Sequence, residues 1–286
     1  MNRFKGRTVG SALALAARIL SGIDGIPTPG LDARVLLIEA AARGGPPLDN
    51  TRLFTRRDIP LTDETASAYD GYIRRREALE SVQYIVNSCE FMGLPFYVDA
   101  DVLIPRPETE ILVEKAFSLM NERGYRRVLD MCTGSGCIAV AVARYCGAAR
   151  VTAADISGPA LAIARRNAYE SGARGIEFLQ SDLFAGLPAD KFFDILLCNP
   201  PYISKSEMAE LGRNVRYEPE GALFGGEDGL DFYRRIAGEI RRYVRPGGAL
   251  LLEIGAAQGQ SVASMFGGGE ILKDYARLDR VFYKTL

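Results

Sequence analysis

The chain has 286 residues, 48% of them hydrophobic and 25% charged, a globular composition with enough apolar side chains for a sizeable core and length for two ordinary domains. Lysine and arginine together number 35 against 36 aspartates and glutamates, a formal net charge of -1, so the bulk electrostatics do not recruit the polyanionic backbone of a nucleic acid. There is no histidine, which excludes Ser-His and Cys-His nucleophile pairs, imidazole general bases and zinc sites that need imidazole.

Five cysteines, at positions 89, 132, 137, 146 and 198, fit reduced thiols better than a disulfide framework. Cys132 and Cys137 have no second pair to close a metal site, so they read as small buried hydrophobes and no metal is expected. The N-terminal Arg3, Lys5 and Arg7 precede "VGSALALAA", but Arg18 interrupts that run and an amphipathic helix is the better reading than a signal peptide. No stretch approaches the roughly 18–20 uninterrupted apolar residues of a membrane span. A cytoplasmic protein with no membrane association is therefore expected; a monomer is expected too, although the sequence itself is silent on oligomeric state.

Residues 1–88 carry apolar side chains at helical spacing: Leu13, Ala16 and Leu20; Val35, Leu36 and Ile38; Tyr69, Tyr72, Ile73 and Leu79. Glycine and proline in "GIPTPG" and "GGPP" separate the helices, so a small all-helical domain is expected. The runs Arg56-Arg57 and Arg74-Arg75-Arg76 read as solvated helix faces. Over 89–107 the aromatic and β-branched "FMGLPFYVDADVLIPRP" predicts a β-hairpin linker turning at Asp99-Ala100-Asp101. Pro107, Glu108 and Glu110 suit the first turn of the helix that follows.

Over 108–286 short apolar runs alternate with helical segments: "RVLDM" before "GCIAVAVARY", "RVTAADI" before "PALAIARRNAYE", then "IEFLQ", "FDILLCN" and "GALLLEIG". That alternation predicts an α/β domain, a Rossmann-like parallel sheet with helices on both faces. Such sheets bind ligands beyond the carboxyl ends of their strands.

Three of those strand ends carry chemistry. After Val128–Met131, Gly134 and Gly136 let the backbone turn tightly against a ligand while a helix N-terminus presents free N–H groups. The next strand ends in Asp155, at the roughly 20-residue spacing from the loop where a carboxylate grips ribose hydroxyls. NAD and S-adenosylmethionine both satisfy this pair.

The fourth strand ends in Asn199-Pro200-Pro201-Tyr202, for which hydride transfer has no stated need. A methyltransferase acting on a planar amino group does have one. The lone pair of such a nitrogen is delocalised, so both its hydrogens must be held by acceptors, in line with the methyl donor at about 3–3.5 Å. The Asn199 side-chain oxygen and the Pro200 carbonyl supply two acceptors; the prolines stiffen the segment and contribute no N–H of their own. Tyr202 offers a flat face for a planar group. A strand stopped by prolines with an asparagine capping the turn is the structural alternative.

At these residues the chain resembles the class I S-adenosylmethionine-dependent methyltransferases, and more narrowly the HemK/PrmC family of release factor glutamine methyltransferases. Besides "NPPYI", the similar segments are "DAR-LL" at 32–37, "VLIPRPETE" at 102–110, "VLDMCTGSGCIA" at 128–139, "EPEGALFGGEDGL" at 218–230 and "LLLEIG" at 250–255. The resemblance implies methyl transfer to the glutamine side-chain amide in the Gly-Gly-Gln motif of class I peptide chain release factors, held by the N-terminal domain. It implies S-adenosylmethionine contacts at Cys132, Thr133, Gly134, Ser135, Gly136, Asp155, Asp182, Leu183 and Asn199, and substrate contacts at Asn199, Pro200, Pro201 and Tyr202. Asn199, Pro200 and Tyr202 would be the catalytic positions, and Arg106 and Glu108 walls of the substrate channel. The chain departs from the family pattern in "QYIVNSCEF", where glycine often follows "QYI", and at Leu183, where some relatives carry an aromatic residue. Rival readings are an adenine amino-group methyltransferase of DNA or RNA, for which no basic reading domain is evident, a glutamine methyltransferase of a ribosomal protein, and a binding protein without turnover.

Overall fold

A computed structural model of the chain describes residues 2–147, 149–188, 192–212 and 215–286. The chain divides into two compact units, residues 1–87 with 212–217, and 88–211 with 218–286.

The first unit is helical: α1 (Val9–Ser21), α2 (Pro29–Gly44), α3 (Asn50–Thr55), α4 (Asp63–Glu77) and α5 (Val82–Val86). The starts of α1 to α4 follow local signals. Thr8 and Ser11 close a capping box on α1, Pro29 opens α2, and the side chains of Asp49 and Thr62 cap α3 and α4. Leu20, Leu36, Leu37, Tyr69 and Ile73 meet in the core, while Leu13, Val35 and Ile38 lie at its margin. Arg76, expected on a solvated face, is instead buried in an ion pair, its Nε donating to Asp32 Oδ2 at 2.7 Å, with Thr28 Oγ1 donating to Asp32 Oδ1 at 2.8 Å.

The second unit starts with an antiparallel hairpin, β1 (Cys89–Phe91) and β2 (Leu94–Phe96). Its turn is Met92-Gly93, not the expected Asp99-Ala100-Asp101. Both turn residues have positive φ, 52° and 71°, the backbone a two-residue hairpin turn requires. Asp99 instead makes a local turn, its Oδ1 accepting from Asp101 N–H at 3.0 Å. Glu110, expected at the positive end of a helix, accepts from the Met92 N–H at 2.6 Å and fastens the hairpin to α6 (Thr109–Arg123).

The remaining elements are β3 (Arg127–Met131), α7 (Cys137–Tyr145), β4 (Arg150–Asp155), α8 (Gly158–Ser171), β5 (Ile176–Gln180), β6 (Phe193–Cys198), α9 (Lys205–Glu210), α10 (Asp231–Glu239), β7 (Val244–Glu253), α11 (Gly259–Met265), β8 (Glu270–Lys273) and β9 (Asp279–Thr285). They build one sheet in the order β5-β4-β3-β6-β7-β9-β8. The first five strands are parallel, as expected; β9 and β8 close the edge antiparallel. Side chains alternate strictly between two cores. Val128, Ile195, Leu197, Ala249 and Leu251 face one, with α6 and α7, while Leu129, Leu196, Cys198, Leu250 and Leu252 face the other, with α10 and α11. Strand order reverses between β3 and β6, so the crevice at their carboxyl ends is the switch point of the sheet.

Removing one partner of the Asp32–Arg76 pair leaves a buried charge uncompensated. Asp32→Ala should therefore cost about 3–5 kcal/mol in urea unfolding. Glu227→Ala, which breaks the exposed pair with Lys205, should cost under about 1 kcal/mol. Equal costs for the two would contradict this account of the helical unit.

Candidate active site

At the end of β3 the chain enters the glycine loop through Cys132, whose φ is 59°; Gly134 and Gly136 follow at 52° and 81°. The two glycines are needed for different reasons. A Cβ on Gly136 would lie 2.9 Å from the Ala164 Cβ, so its absence lets α7 close onto α8; a Cβ on Gly134 would meet nothing within 4 Å, so φ and open space toward a ligand set that position. Cys137 is buried as expected, whereas Cys132 is half-buried.

Asp130 holds the loop from below. Its Oδ2 accepts from Thr133 Oγ1 at 2.5 Å and from the Ala139 N–H at 3.0 Å, tying strand end, loop and first helical turn together. Burial pushes this carboxyl up to about 7. Asn167 of α8 holds the loop from the side, donating to the Ser135 carbonyl at 2.9 Å and the Tyr97 carbonyl at 3.0 Å.

Asp155 stands against the same loop. Its Oδ2 accepts from the Gly134 N–H at 2.8 Å and its Oδ1 from the Ser157 N–H at 2.9 Å. Burial raises its carboxyl above the ordinary range, and these N–H bonds partly offset that. Each oxygen keeps a lone pair, so the carboxylate can still accept from ribose hydroxyls. Beyond the next strand, Asp182 accepts from Arg235 at 2.8 Å, and Leu183, with a φ of 51°, is buried in the core shared with Phe184.

Across the switch point, β6 delivers Asn199. Its Nδ2 donates to Thr109 Oγ1 at 3.3 Å, and that hydroxyl donates to Glu253 Oε2 at 2.6 Å. Tyr202 OH donates to Glu253 Oε1 at 3.4 Å. Among the described residues, no donor reaches Asn199 Oδ1 or the Pro200 carbonyl oxygen. Glu253 is 1% exposed, and burial pushes it up to about 7 against the lowering influence of Thr109, Arg280 and Tyr202.

The backbone of the segment Asn199–Tyr202 is held from behind. Gln258 Nε2 donates to the Tyr202 carbonyl at 2.9 Å and to the Gly229 carbonyl at 3.2 Å. Ile203 pairs with Leu223 and Gly225 through two backbone bonds. The glycines of "EPEGALFGGEDGL" permit that contact, since a Cβ on Gly225 would sit 2.7 Å from the Pro201 carbonyl oxygen and one on Gly229 at 2.3 Å from that of Tyr202. Arg106 pairs with the buried Glu218, which joins "PRP" to the start of that loop. Glu108 caps no N–H of α6 through its side chain.

The structure thus brings together Cys132, Thr133, Gly134, Ser135, Gly136 and Asp155 on one side of the switch point and Asn199, Pro200, Pro201 and Tyr202 on the other. The sequence reading gave no role to Asp130, Thr109, Asn167, Glu253 or Gln258. For Asp130 and Glu253 the signal was available: each is a lone acid within or ending an apolar strand, a position acids rarely take unless partnered. No cluster of metal-ligating side chains occurs among the described residues.

A glycine loop and a carboxylate on β3 and β4, facing a proline-stiffened asparagine on β6, define a class I S-adenosylmethionine-dependent methyltransferase. Residues 108–215 match the methyltransferase small domain family and residues 11–86 the PrmC N-terminal domain family. The release factor glutamine methyltransferase of Moorella thermoacetica is 40% identical, with 96% of this chain and 97% of that protein covered. The enzyme of the same name from Geobacter sulfurreducens is 44% identical over 77% of this chain and 76% of its own length. The chain belongs to the release factor glutamine methyltransferase family. Among solved structures, the catalytic domain of hMettl16 in complex with an RNA hairpin superposes with a TM-score of 0.55 at 16% identity, covering 73% of this chain and 81% of that one. The Thermus thermophilus 16S rRNA methyltransferase RsmC gives 0.51 at 20% identity, covering 69% and 49%. These likenesses reach the fold.

If Asp155 holds the cofactor ribose, Asp155→Ala should weaken S-adenosylmethionine binding by about 10- to 100-fold in calorimetry, the loss expected when hydrogen bonds to a charged group go. Unchanged affinity would contradict the assignment.

Proposed function

We propose that this protein methylates the side-chain amide nitrogen of the glutamine in the Gly-Gly-Gln motif of class I peptide chain release factors, with Asn199 and Pro200 as the acceptor pair. The observation that carries the reading is that both oxygens, Asn199 Oδ1 and the Pro200 carbonyl, are left without a donor among the described residues, whereas Asn199 Nδ2, the Tyr202 hydroxyl and the Tyr202 carbonyl are each bonded. Two adjacent free acceptors match the two hydrogens of an amide NH2.

The glycine loop fits the cofactor: Gly134 leaves open space where a Cβ would point, and Asp155 lies beside it. Cys132, Thr133, Gly134, Ser135, Gly136 and Asp155 would hold S-adenosylmethionine, and Ile156, 64% exposed beside Asp155, is the apolar surface available to its purine. Asp182 and Leu183 remain in this proposal as the outer edge of the same pocket. When bound, the cofactor supplies an electrophilic methyl group on a sulfonium.

The chain's own residues then do three things. Asn199 Oδ1 and the Pro200 carbonyl take the two N–H groups of the substrate, fixing the nitrogen's position and favouring its pyramidal form. Pro200 and Pro201 keep that geometry stiff, and Tyr202, with its hydroxyl tied to Glu253 and its carbonyl to Gln258, presents a fixed ring beside the planar amide. The surplus proton on the methylated nitrogen is held by one of the two oxygens until water takes it, so no imidazole is required.

Residues 1–88 would hold the release factor, with the hairpin region 89–107 leading into the methyltransferase domain at 108–286. The substrate is a protein, the enzyme works as a monomer in the cytoplasm, and no nucleic acid is bound directly. No helix among the described residues is long and apolar enough to cross a membrane.

Incubation with methyl-labelled S-adenosylmethionine, a purified release factor and a control nucleic acid tests the reading. Label on the release factor glutamine supports it; label on adenine, or none, overturns it. Asn199→Ala should lower turnover by about 10²–10³-fold and cofactor affinity far less, and wild-type turnover in that variant would remove the clamp.

A further inference from the structure

Asn199 can serve the substrate only with one end of its carboxamide. Its Oδ1 accepts an N–H; its Nδ2, turned the same way, would present two donors to two donors and repel the amide. The two orientations are close to equal in shape, so something other than packing has to choose between them.

We infer that Thr109 and Glu253 are positioning residues that choose the productive orientation of the Asn199 carboxamide by fixing the direction of each hydrogen bond leading to it. The inference rests on the clamp reading of Asn199. An ionised carboxylate only accepts, so the Thr109 hydroxyl must give its single hydrogen to Glu253 Oε2, 2.6 Å away. Having no second hydrogen, Thr109 Oγ1 can only accept from its other neighbour. That neighbour is Asn199 Nδ2 at 3.3 Å, which leaves Oδ1 pointing to the substrate. Tyr202, donating to Glu253 Oε1, occupies the other carboxylate oxygen and obeys the same polarity. Each group is buried or half-buried, so bulk water does not compete strongly for these bonds.

Glu253 is reached from every neighbouring element: Thr109 and Glu108 at the start of α6, Tyr202 after β6, Arg280 of β9 and Cys137 of α7, with Tyr233 of α10 donating to its main-chain oxygen. Arg280 favours the ionised form and Glu108 opposes it; burial outweighs both. A protonated Glu253 could donate to Thr109, freeing that hydroxyl to donate to Asn199 Oδ1 and turn the amide the wrong way. Turnover should therefore be full above the Glu253 titration, about 7, and fall as pH drops through it. Asp130 titrates in the same range, but beneath the cofactor loop, where its effect is read in cofactor affinity.

The test uses the full-length enzyme, a purified release factor and saturating cofactor. Thr109→Val, which removes the hydroxyl, should lower kcat by about tenfold, the scale of one lost hydrogen bond, with cofactor Kd nearly unchanged and a melting temperature lowered by the loss of a donor to the buried Glu253. Thr109→Ser, which restores the hydroxyl, should recover most of that loss. Thr109→Val added to Asn199→Ala should lower kcat no further, because the hydroxyl then has no amide to orient. Wild-type kcat should fall below pH 7, and Glu253→Gln should lose that limb of the profile. Three outcomes overturn the inference while leaving the clamp standing: unchanged kcat in Thr109→Val beside a crippled Asn199→Ala, multiplicative losses in the double variant, or a wild-type kcat that stays flat from pH 8 to 6. The last needs no variant and holds even if Thr109→Val fails to fold. Wild-type turnover in Asn199→Ala would instead sink the clamp itself.

Discussion

The site depends on a direction. A buried carboxylate at the end of β7, Glu253, accepts and cannot donate while ionised, and that asymmetry passes through one hydroxyl to the amide of Asn199. Without it the same residues would fit the same space with the carboxamide turned end for end, and in the proposed reaction the wrong end would face the substrate. Keeping a carboxylate in so dry a place is unfavourable by itself, as its raised titration indicates. Bonds from Thr109 and Tyr202 and the cation of Arg280 offset that penalty.

The fold makes the arrangement possible by bringing three strand ends to one edge. β3, β6 and β7 are neighbours in the sheet, so the glycine loop, Asn199 and Glu253 lie side by side although they are far apart in sequence. The start of α6 then passes over that edge and drops Thr109 between two of them. Around this centre the glycines of 218–230 allow a loop to lie flat on the clamp backbone, and Gln258 binds the two layers together. A methyl-transfer site without a general base has little to rely on except position, and most of the polar contacts here serve position.

The central parallel strands were readable because burial on both faces makes them mostly apolar, with a polar residue at the carboxyl end: Asp155 after "RVTAA", Asn199 after "FDILLC". The segment Asn199–Tyr202 stood out because its four residues are in succession, and the structure places it at the carboxyl end of β6 as expected. The hairpin turn was misplaced because Asp-Ala-Asp has turn-forming side chains, while Met92 takes a positive φ with no side-chain signal for it. The antiparallel edge was missed because β8 and β9 are partly exposed and short of apolar residues. Glu253 lay in a quoted motif without a role, since its partner Thr109 is 144 residues away in the chain. The apolar strand around it marks the acid as one that needs a partner, but only the closed sheet shows which residue that partner is.

Neutron diffraction from a crystal of the enzyme with demethylated cofactor and a glutamine peptide bears most directly on this centre, because it locates the deuterons that fix which way each hydrogen bond runs. The account predicts deuterium density between Thr109 Oγ1 and Glu253 Oε2, two deuterons on the Asn199 nitrogen nearest Thr109, and the glutamine amide donating to Asn199 Oδ1 and the Pro200 carbonyl. An Asn199 amide turned with its deuterons toward the peptide, or a Thr109 hydroxyl donating away from Glu253, would contradict it.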